Sequence, residues 1–438
     1  MNRSSLSTSD YGNLFGESSQ NPAKRLGANT IWLLLGRAGS HVLAILVTIL
    51  IARRLGEAVL GQFAFVTTVL FVLNGVSTLG TDVLLVREIA AKRSFAAFPG
   101  ALMIQLGLST VMIVIVLFAS PFLSSELGEA NLALRVYSLA LFPLAFYTVF
   151  GAALRGKERM ALYSLVNLLA GLLQVIVIWL FVRPETDIVD LSILLLSIQL
   201  LAGLLTVGLA FFSLAGLKAI WNSKRTPVLN VVKAGAPIAL FGLLATVYQR
   251  TSLYLLATME GPSTTGWFSA ALRVVEAPKF LHVSVLGALL PMMSQTHALS
   301  LCSRKLKDFS KIFSITWISL LALSTLAAAL LFAFGSPIIS MLFGERFGPS
   351  VEVLKILSWG LIPFTVSQYL GVRLLAAGRE RQIVIALGIG LAALVILSLA
   401  WIPTWGSTGA AWAAVAAESV HAIIYLFLWN LQFLRPRN

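Results

Sequence analysis

Charge is what this sequence has least of. Only 11% of its 438 residues are Asp, Glu, Lys or Arg, against about 25% in an ordinary soluble domain. The deficit is one-sided, with 18 acidic residues against 32 basic ones. There is a single cysteine, Cys302, so an intrachain disulfide and a cysteine-based metal site are both excluded. The chain contains no His-Glu-x-x-His pair, no Walker loop and no dinucleotide-binding glycine pattern. The connections between its apolar runs are too short for a soluble catalytic domain, so an enzyme is not expected, nor is a metal or a cofactor. No short apolar segment with a small-residue cleavage site precedes the first long run, and the N-terminus does not read as a signal peptide.

Apolar residues fill the space. They make up 58% of the chain, with a mean hydropathy of +0.90, more than one folded core can hide from water. About 20 apolar residues cross about 30 Å of hydrocarbon as a helix, and the sequence supplies twelve such runs: 30–52, 60–80, 98–119, 132–153, 161–182, 191–213, 235–258, 264–290, 309–333, 351–376, 382–402 and 408–433. Barrel strands alternate over about ten residues, whereas these runs are uniformly apolar. The fold class is therefore an all-α polytopic membrane protein of 12 transmembrane helices. Residues 1–23, rich in Ser and Asn, read as a disordered cytoplasmic tail.

The formal net charge of +14 raises nucleic acid as a partner until the charges are placed. With the N-terminus in the cytoplasm, 22 of the 32 basic residues fall in cytoplasmic segments, 6 on the opposite side and 4 inside spans. The positive-inside rule then predicts a multi-pass protein of the plasma (inner) membrane with both termini cytoplasmic. Contact with anionic headgroups accounts for the basic face, and no nucleic acid is needed. The opposite loops are acidic, with Glu57, Glu185, Asp187, Asp190, Glu260, Glu345 and Glu352. Arg53 and Arg54 break the rule locally.

Spans 1–6 and 7–12 read as two copies of one unit. The step Arg25-Leu26-Gly27-Ala28 matches Lys233-Ala234-Gly235-Ala236, and Gly56, Gly61 and Phe63 match Gly261, Gly266 and Phe268. The run Leu134–Pro143 matches Leu354–Pro363, and Gly156-Lys157-Glu158-Arg159 matches Gly378-Arg379-Glu380-Arg381. The offsets rise through 208, 205, 220 and 222. The expected lobes are 24–225 with helices 1–6 and 226–438 with helices 7–12. Each holds an even number of spans, so the repeat is parallel, an architecture that commonly binds substrate between its halves.

A charge at mid-bilayer costs about 2.5–3.5 kcal/mol on insertion scales and normally faces a cavity or a partner. The candidates are Arg37 and His41 in span 1, Arg250 in span 7, Arg273, Glu276, Lys279 and His282 in span 8, and Glu418 and His421 in span 12. Glu276 either neutralises Arg273 or Lys279 or takes part in transport. Lys279 and His282 lie near enough to the cytoplasmic end to snorkel. His41 and His421 read equally as hydrogen-bonded core residues. Asn74, Thr78 and Asp82 form a polar stripe that suits helix packing as well as a ligand. Four basic residues stand against Glu276 and Glu418, so the spans carry a net charge of plus two. That favours an anionic substrate, and arginine can bind phosphate oxygens bidentately.

The stretches Gly27–Arg37, Ala52–Phe63, Leu85–Ala90, Phe268–Glu276 and Ala377–Arg381 resemble the polysaccharide-transport oligosaccharide flippases, Wzx-type members of the MOP exporter superfamily. The resemblance covers residues 24–435. It implies twelve helices in two six-helix pseudo-symmetric, MATE/MOP-like lobes around a cationic cavity. It further implies alternating-access transfer of an undecaprenyl-diphosphate-linked glycan, a polysaccharide precursor, from the inner to the outer leaflet. By position Arg37, Arg250 and Arg273 would receive the diphosphate, and His41, Glu276 and Lys279 complete the substrate-binding set. Glu418, His421 and Asp82 are the candidates for ion coupling, to H+ or Na+, with the membrane potential as another driving force. Membrane lipids, and glycan polymerases or glycosyltransferases, are the implied partners. The alternative is a MATE-type cation-coupled multidrug exporter. Many of those carry an acidic residue in the first or seventh helix, and this chain has none from Ile31 to Ala52 or from Gly235 to Met259.

Overall fold

The chain, as a computed structural model, is described over residues 22–92, 94–120, 128–213, 226–300 and 306–434. Residues 1–21 of the expected tail, Cys302 and most of the connection between spans 6 and 7 lie outside them. The described residues form thirteen α-helices, beginning with α1 (Pro22–Thr78), α2 (Thr81–Lys92) and α3 (Phe98–Ala119). In lipid every backbone group needs a partner inside its own segment. Buried hydroxyls follow suit by bonding one turn back, as Thr48 does to Ala44 O at 2.9 Å and Thr206 to Ala202 O at 2.7 Å.

At 1.5 Å per residue, the 57 residues of α1 would reach about 85 Å as one rod, nearly three bilayer cores. Gly56 divides it, with φ 83° and ψ −174°, a conformation in which a side chain would be strained. Gly261 (φ 80°, ψ −175°) divides α8 (Val228–Ser300) in the same way, and Gly406 (φ 54°, ψ −129°) divides α13 (Glu380–Leu434). Seven helices and two bent pairs are long and apolar enough to cross a membrane. Three of these nine carry the glycine breaks, which yields the twelve expected crossings. The others are α3, α6 (Met160–Phe181), α7 (Ile188–Ser213), α9 (Leu306–Ala333), the bent pair of α4 (Ala130–Ser138) with α5 (Leu141–Gly156), and the single run of α11 (Ser350–Trp359) with α12 (Leu361–Ala376); the second bent pair lies within α8, between Ala236 and Ile238.

The repeat is visible in the backbone. α4 ends at Ser138 and α5 starts at Leu141; α11 ends at Trp359, 221 residues on, and α12 starts at Leu361, 220 residues on. The turn that follows corrects the expected register by two residues. Lys157, Glu158 and Arg159 N–H donate to Ala153, Arg155 and Leu154 O, while Ala377, Gly378 and Arg379 N–H donate to Arg373, Leu375 and Leu374 O. The equivalence is therefore Glu158 with Gly378, both at positive φ (60° and 68°), at an offset of 220 rather than 222. The sequence match at Gly156 and Gly378 pairs residues with different backbone roles. Two short helices were not expected: α2, which begins after the break at Leu79 and Gly80 (φ 43° and 67°), and α10 (Gly335–Phe343).

The two glycine breaks meet. A Cβ on Gly61 would lie 1.8 Å from Pro262 O, and one on Gly266 would lie 2.0 Å from Glu57 O. These pairings interchange under the same 205-residue shift that relates Gly56 to Gly261, as a pseudo-two-fold axis between the halves requires. The largest buried cluster surrounds this crossing and draws on both halves, with Ile51, Leu60 and Phe65 beside Leu256, Phe268 and Phe347. Toward the basic turns the core divides in two. One cluster holds Leu85, Phe98, Phe150 and Leu154 with Val231, and the other holds Leu286, Leu320, Tyr369 and Tyr425. The halves thus share their largest core at the acidic face and touch again near the basic turns, where Gly80 and Gly235 pack backbone against backbone and Val231 joins the first of the two clusters.

Arg53 and Arg54 have a structural explanation. Arg54 Nη1 donates to Ile178, Trp179 and Val182 O at 3.1, 2.6 and 2.6 Å, closing the C-terminus of α6. Arg53 crosses to the other half, its Nε donating to Leu342 O at 2.8 Å and its Nη2 to Met341 O, at the end of α10. The last carbonyls of a helix lack intrahelical donors, and cations are favoured there.

Two outcomes follow. Gly61→Val cannot be accommodated at the crossing, so in a Cys302→Ser background a cysteine at Glu57 should react with a water-soluble maleimide severalfold faster than without the valine. Gly242→Ala, with nothing within 4 Å of its Cβ, should leave that rate unchanged. Arg54→Ala removes bonds to a charged donor, worth about 1.5–3 kcal/mol, and should lower the thermal unfolding temperature of the detergent-solubilised protein.

Candidate functional site

A cavity of about 660 Å³ lies above the shared core, on a floor that includes Phe268 and Leu357. It extends toward the basic turns at Leu375 and Ile383. Its walls come from α8, α12 and α13, with α11 at the floor and His41 of α1 at one side. Of the residues expected from sequence, His41, Arg250, Arg273, Glu276, Lys279, Glu418 and His421 all line this one cavity. The fold brings them together because the two legs of α8 carry Arg250 and Arg273 on either side of the Gly261 break.

Each charge has a defined setting. Arg273 Nη1 bonds Glu276 Oε2 at 2.9 Å across one turn, and its Nε donates to Thr48 Oγ1 at 3.1 Å across the interface between halves. Glu276 is therefore Arg273's partner and not that of Lys279. Lys279 lies over the ring of Phe364 at 4.9 Å, and Arg250 over that of Phe71 at 4.7 Å, contacts worth about 0.5–2 kcal/mol. Neither has an acidic partner within 4 Å among the described residues, and Arg250 Nε has no hydrogen-bond partner there. Glu418 is buried, accepting from Tyr248 Oη at 2.9 Å and from Ser367 Oγ at 2.5 Å. His421 Nδ1 lies 4.0 Å from Glu418 Oε1.

Three expectations change. Arg37 lies outside the large cavity, in a neighbouring one of about 310 Å³ lined also by Ser40, Tyr163 and Asn167. The two cavities share His41 and Phe280, which stack with ring centres 5.0 Å apart. Three cations against two carboxylates give the large cavity a charge of plus one instead of plus two. Asp82 lines neither cavity. The break at Gly80 places it on α2, off the stripe of Asn74 and Thr78, and its carboxylate pairs with Arg155 at 3.5 Å. His282 does not snorkel: it is fully buried, with ring nitrogens 2.7 Å from Pro278 O and 2.7 Å from Ser324 Oγ.

Sequence reasoning missed Tyr248, Ser367 and Thr48. The dyads Gln249-Arg250 and Ser367-Gln368 are polar interruptions within apolar spans, and that signal could have marked the first two. Thr48 offers none, because a helical threonine satisfies its hydroxyl on its own backbone. His282, Ser324 and Thr365, linked across α8, α9 and α12, form a buried polar tie with no opening to the cavity. His282→Ala would leave Ser324 Oγ without the imidazole, and should lower the unfolding temperature of the protein without changing ligand binding in the cavity.

Among solved structures the chain is similar to an inward-facing MATE family multidrug resistance transporter of the MOP superfamily. The identity is 18%, with 90% of this chain and 94% of that one covered, at a TM-score of 0.72. It is also similar to the lipid II flippase MurJ in an inward closed conformation, at 15% identity, with 91% and 87% covered and a TM-score of 0.73. A third is a MOP superfamily transporter from Pyrococcus furiosus, described by a reversed polarity of its binding pocket, at 17% identity, 94% and 96% coverage and a TM-score of 0.67. At these identities the likeness shows the fold alone. No curated protein sequence matches the chain. The family model for Polysaccharide biosynthesis protein matches residues 26–297, well over half of the sequence, and the chain belongs to that family.

Proposed function

We propose that this protein is a flippase that carries a lipid-diphosphate-linked oligosaccharide from the inner to the outer leaflet by alternating access. The observation that carries this reading is a cavity of about 660 Å³ whose two carboxylates are already held by Arg273 and by Tyr248 with Ser367, while Arg250 and Lys279 remain without acidic partners. Such a site has positive charge to offer and no free negative charge. A diphosphate is the matching group, since guanidinium engages phosphate oxygens in a bidentate fork. Gln249 and Gln368 supply amide donors and acceptors for sugar hydroxyls on the same walls. The lipid tail stays in the bilayer, along the exposed apolar faces of the helices.

Orientation follows from charge. The basic turns face the cytoplasm, so the cavity extends toward the leaflet in which the lipid-linked precursor is made, and the joined, acidic face is the outer one. An inside-negative membrane favours outward movement of an anion by about 2.3 kcal/mol per charge per 100 mV. The membrane is the plasma membrane, and the enzymes that build or polymerise the glycan are the natural partners. Membership of a polysaccharide biosynthesis family and the shared fold of a lipid II flippase support this reading. A cation-coupled drug exporter would want an unpartnered carboxylate facing the cavity, and none is present among the described residues.

The test is flipping of a fluorescent polyprenyl-diphosphate sugar in vesicles reconstituted with the protein. Arg250→Ala should lower the rate about 10- to 100-fold, as expected for one charged hydrogen bond of about 1.5–3 kcal/mol, and Arg250→Lys should recover part of it. Unchanged flux in the alanine variant would remove Arg250 from the mechanism.

A further inference from the structure

Glu418 and His421 are the buried ionisable groups that the binding of a diphosphate leaves unused. Glu418 sits at a junction of three helices: its two carboxylate oxygens take one bond from Tyr248 of α8 and one from Ser367 of α12, and it belongs to α13. His421 lies one turn on and is 5% exposed. Its ring stands edge-on to Tyr248 at 5.7 Å and packs on Tyr425 at 4.5 Å. Gly390, on the other leg of α13, closes the remaining side, where a Cβ would meet Tyr248 at 3.5 Å and His421 at 3.6 Å. Yet neither ring nitrogen of His421 has a hydrogen-bond partner among the described residues. A buried polar group left unsatisfied costs about 1–3 kcal/mol, and its retention in an otherwise bonded cluster calls for a reason.

We infer that Glu418 and His421 form a proton-binding site whose occupancy sets the affinity of the adjoining cavity for its anionic cargo. Added between Nδ1 and Oε1, now 4.0 Å apart, a proton supplies the hydrogen bond that His421 lacks once the ring turns toward the carboxylate. The proton belongs to the pair rather than to either residue. Its arrival raises the charge of the cavity from plus one to plus two while the other ionisable groups on the facing walls keep their settings, among them His41 of α1, stacked on Phe280. On α8 these are Tyr248, Arg250, Arg273, Glu276 and Lys279, and on α13 Tyr425. On α12, Arg373 is held away by Trp429, 3.8 Å from its ring centre. Tyr248 is two residues before Arg250 on the same helix, so the residue that holds Glu418 also steadies the leg bearing the free guanidinium. Proton and anion therefore strengthen each other's binding by the same factor. The coupling rests on the anionic-cargo reading given above; the proton site does not.

Two measurements on the full chain in lipid nanodiscs separate these ideas. Infrared difference spectra on acidification should show the carbonyl stretch of a protonated carboxyl group or the change of an imidazole ring. Those bands should be lost in Glu418→Gln and altered in His421→Phe, which keeps the ring packing, and retained in Glu276→Gln. The same bands in Glu418→Gln would overturn the site. Binding of a short-chain prenyl diphosphate sugar, a diester whose own charge is constant across the neutral range, should tighten by up to about tenfold per pH unit lowered, the limit for one linked proton. The slope should vanish in Glu418→Gln. Binding that is independent of pH in the wild type overturns the coupling while leaving the cargo reading intact. If the bands titrate while the probe binds at no pH, the cargo reading and the coupling fall and the proton site stands.

Discussion

Everything else in this molecule is arranged around a contact between two stretches of bare backbone. Where Gly61 meets Pro262 and Gly266 meets Glu57, the halves approach more closely than any side chain would allow. Glycine is required twice in each half, at the break for its conformation and five residues later for its lack of bulk. The contact lies on the pseudo-two-fold axis and gathers the largest core, to which both halves contribute. Toward the basic turns the packing splits into smaller clusters, and a cavity opens there, walled by α8, α12 and α13 with His41 of α1 at one side.

Within that space the electrostatic economy is tight. Lipid and apolar core make a lone charge expensive, and most of the ionisable groups here are answered: Arg273 by Glu276 and Thr48, and Glu418 by Tyr248 and Ser367. Arg250 and Lys279 are answered only by aromatic rings. A ring face lowers the energy of a cation without neutralising it, so these two are kept in lipid surroundings while remaining available to an anion. The distinction between a satisfied charge and a merely tolerated one separates scaffold from site.

How much of this was legible in the sequence depends on the distance over which each feature is encoded. The twelve crossings were, because span length is a one-dimensional property, and so were the breaks at Gly56 and Gly261 through their repeated spacing. The Arg273–Glu276 pair needs only the period of a helix. Tyr248 and Glu418, by contrast, are 170 residues apart, and nothing local joins them. His282 was misread because its place near a span end suggested access to water, whereas its burial is decided by Leu320 and Ser324 on another helix. The register at Glu158 and Gly378 was lost for a related reason: identical letters outweighed a backbone conformation that either residue can adopt. Arg37 and His41 share a helix face, but Phe280, which lines both cavities, belongs to the other half, and nothing near Arg37 in the sequence points to it.

The adjacent residues Arg53 and Arg54 are bonded to opposite halves, and both bonds end on carbonyl oxygens at helix termini. A guanidinium keeps its charge throughout the physiological range, and a carbonyl has no proton to lose. The bond that Arg53 makes from one lobe to the other is thus built from groups that do not titrate. That link does not weaken with pH across the physiological range, so the two lobes stay fastened there in acid and in base alike.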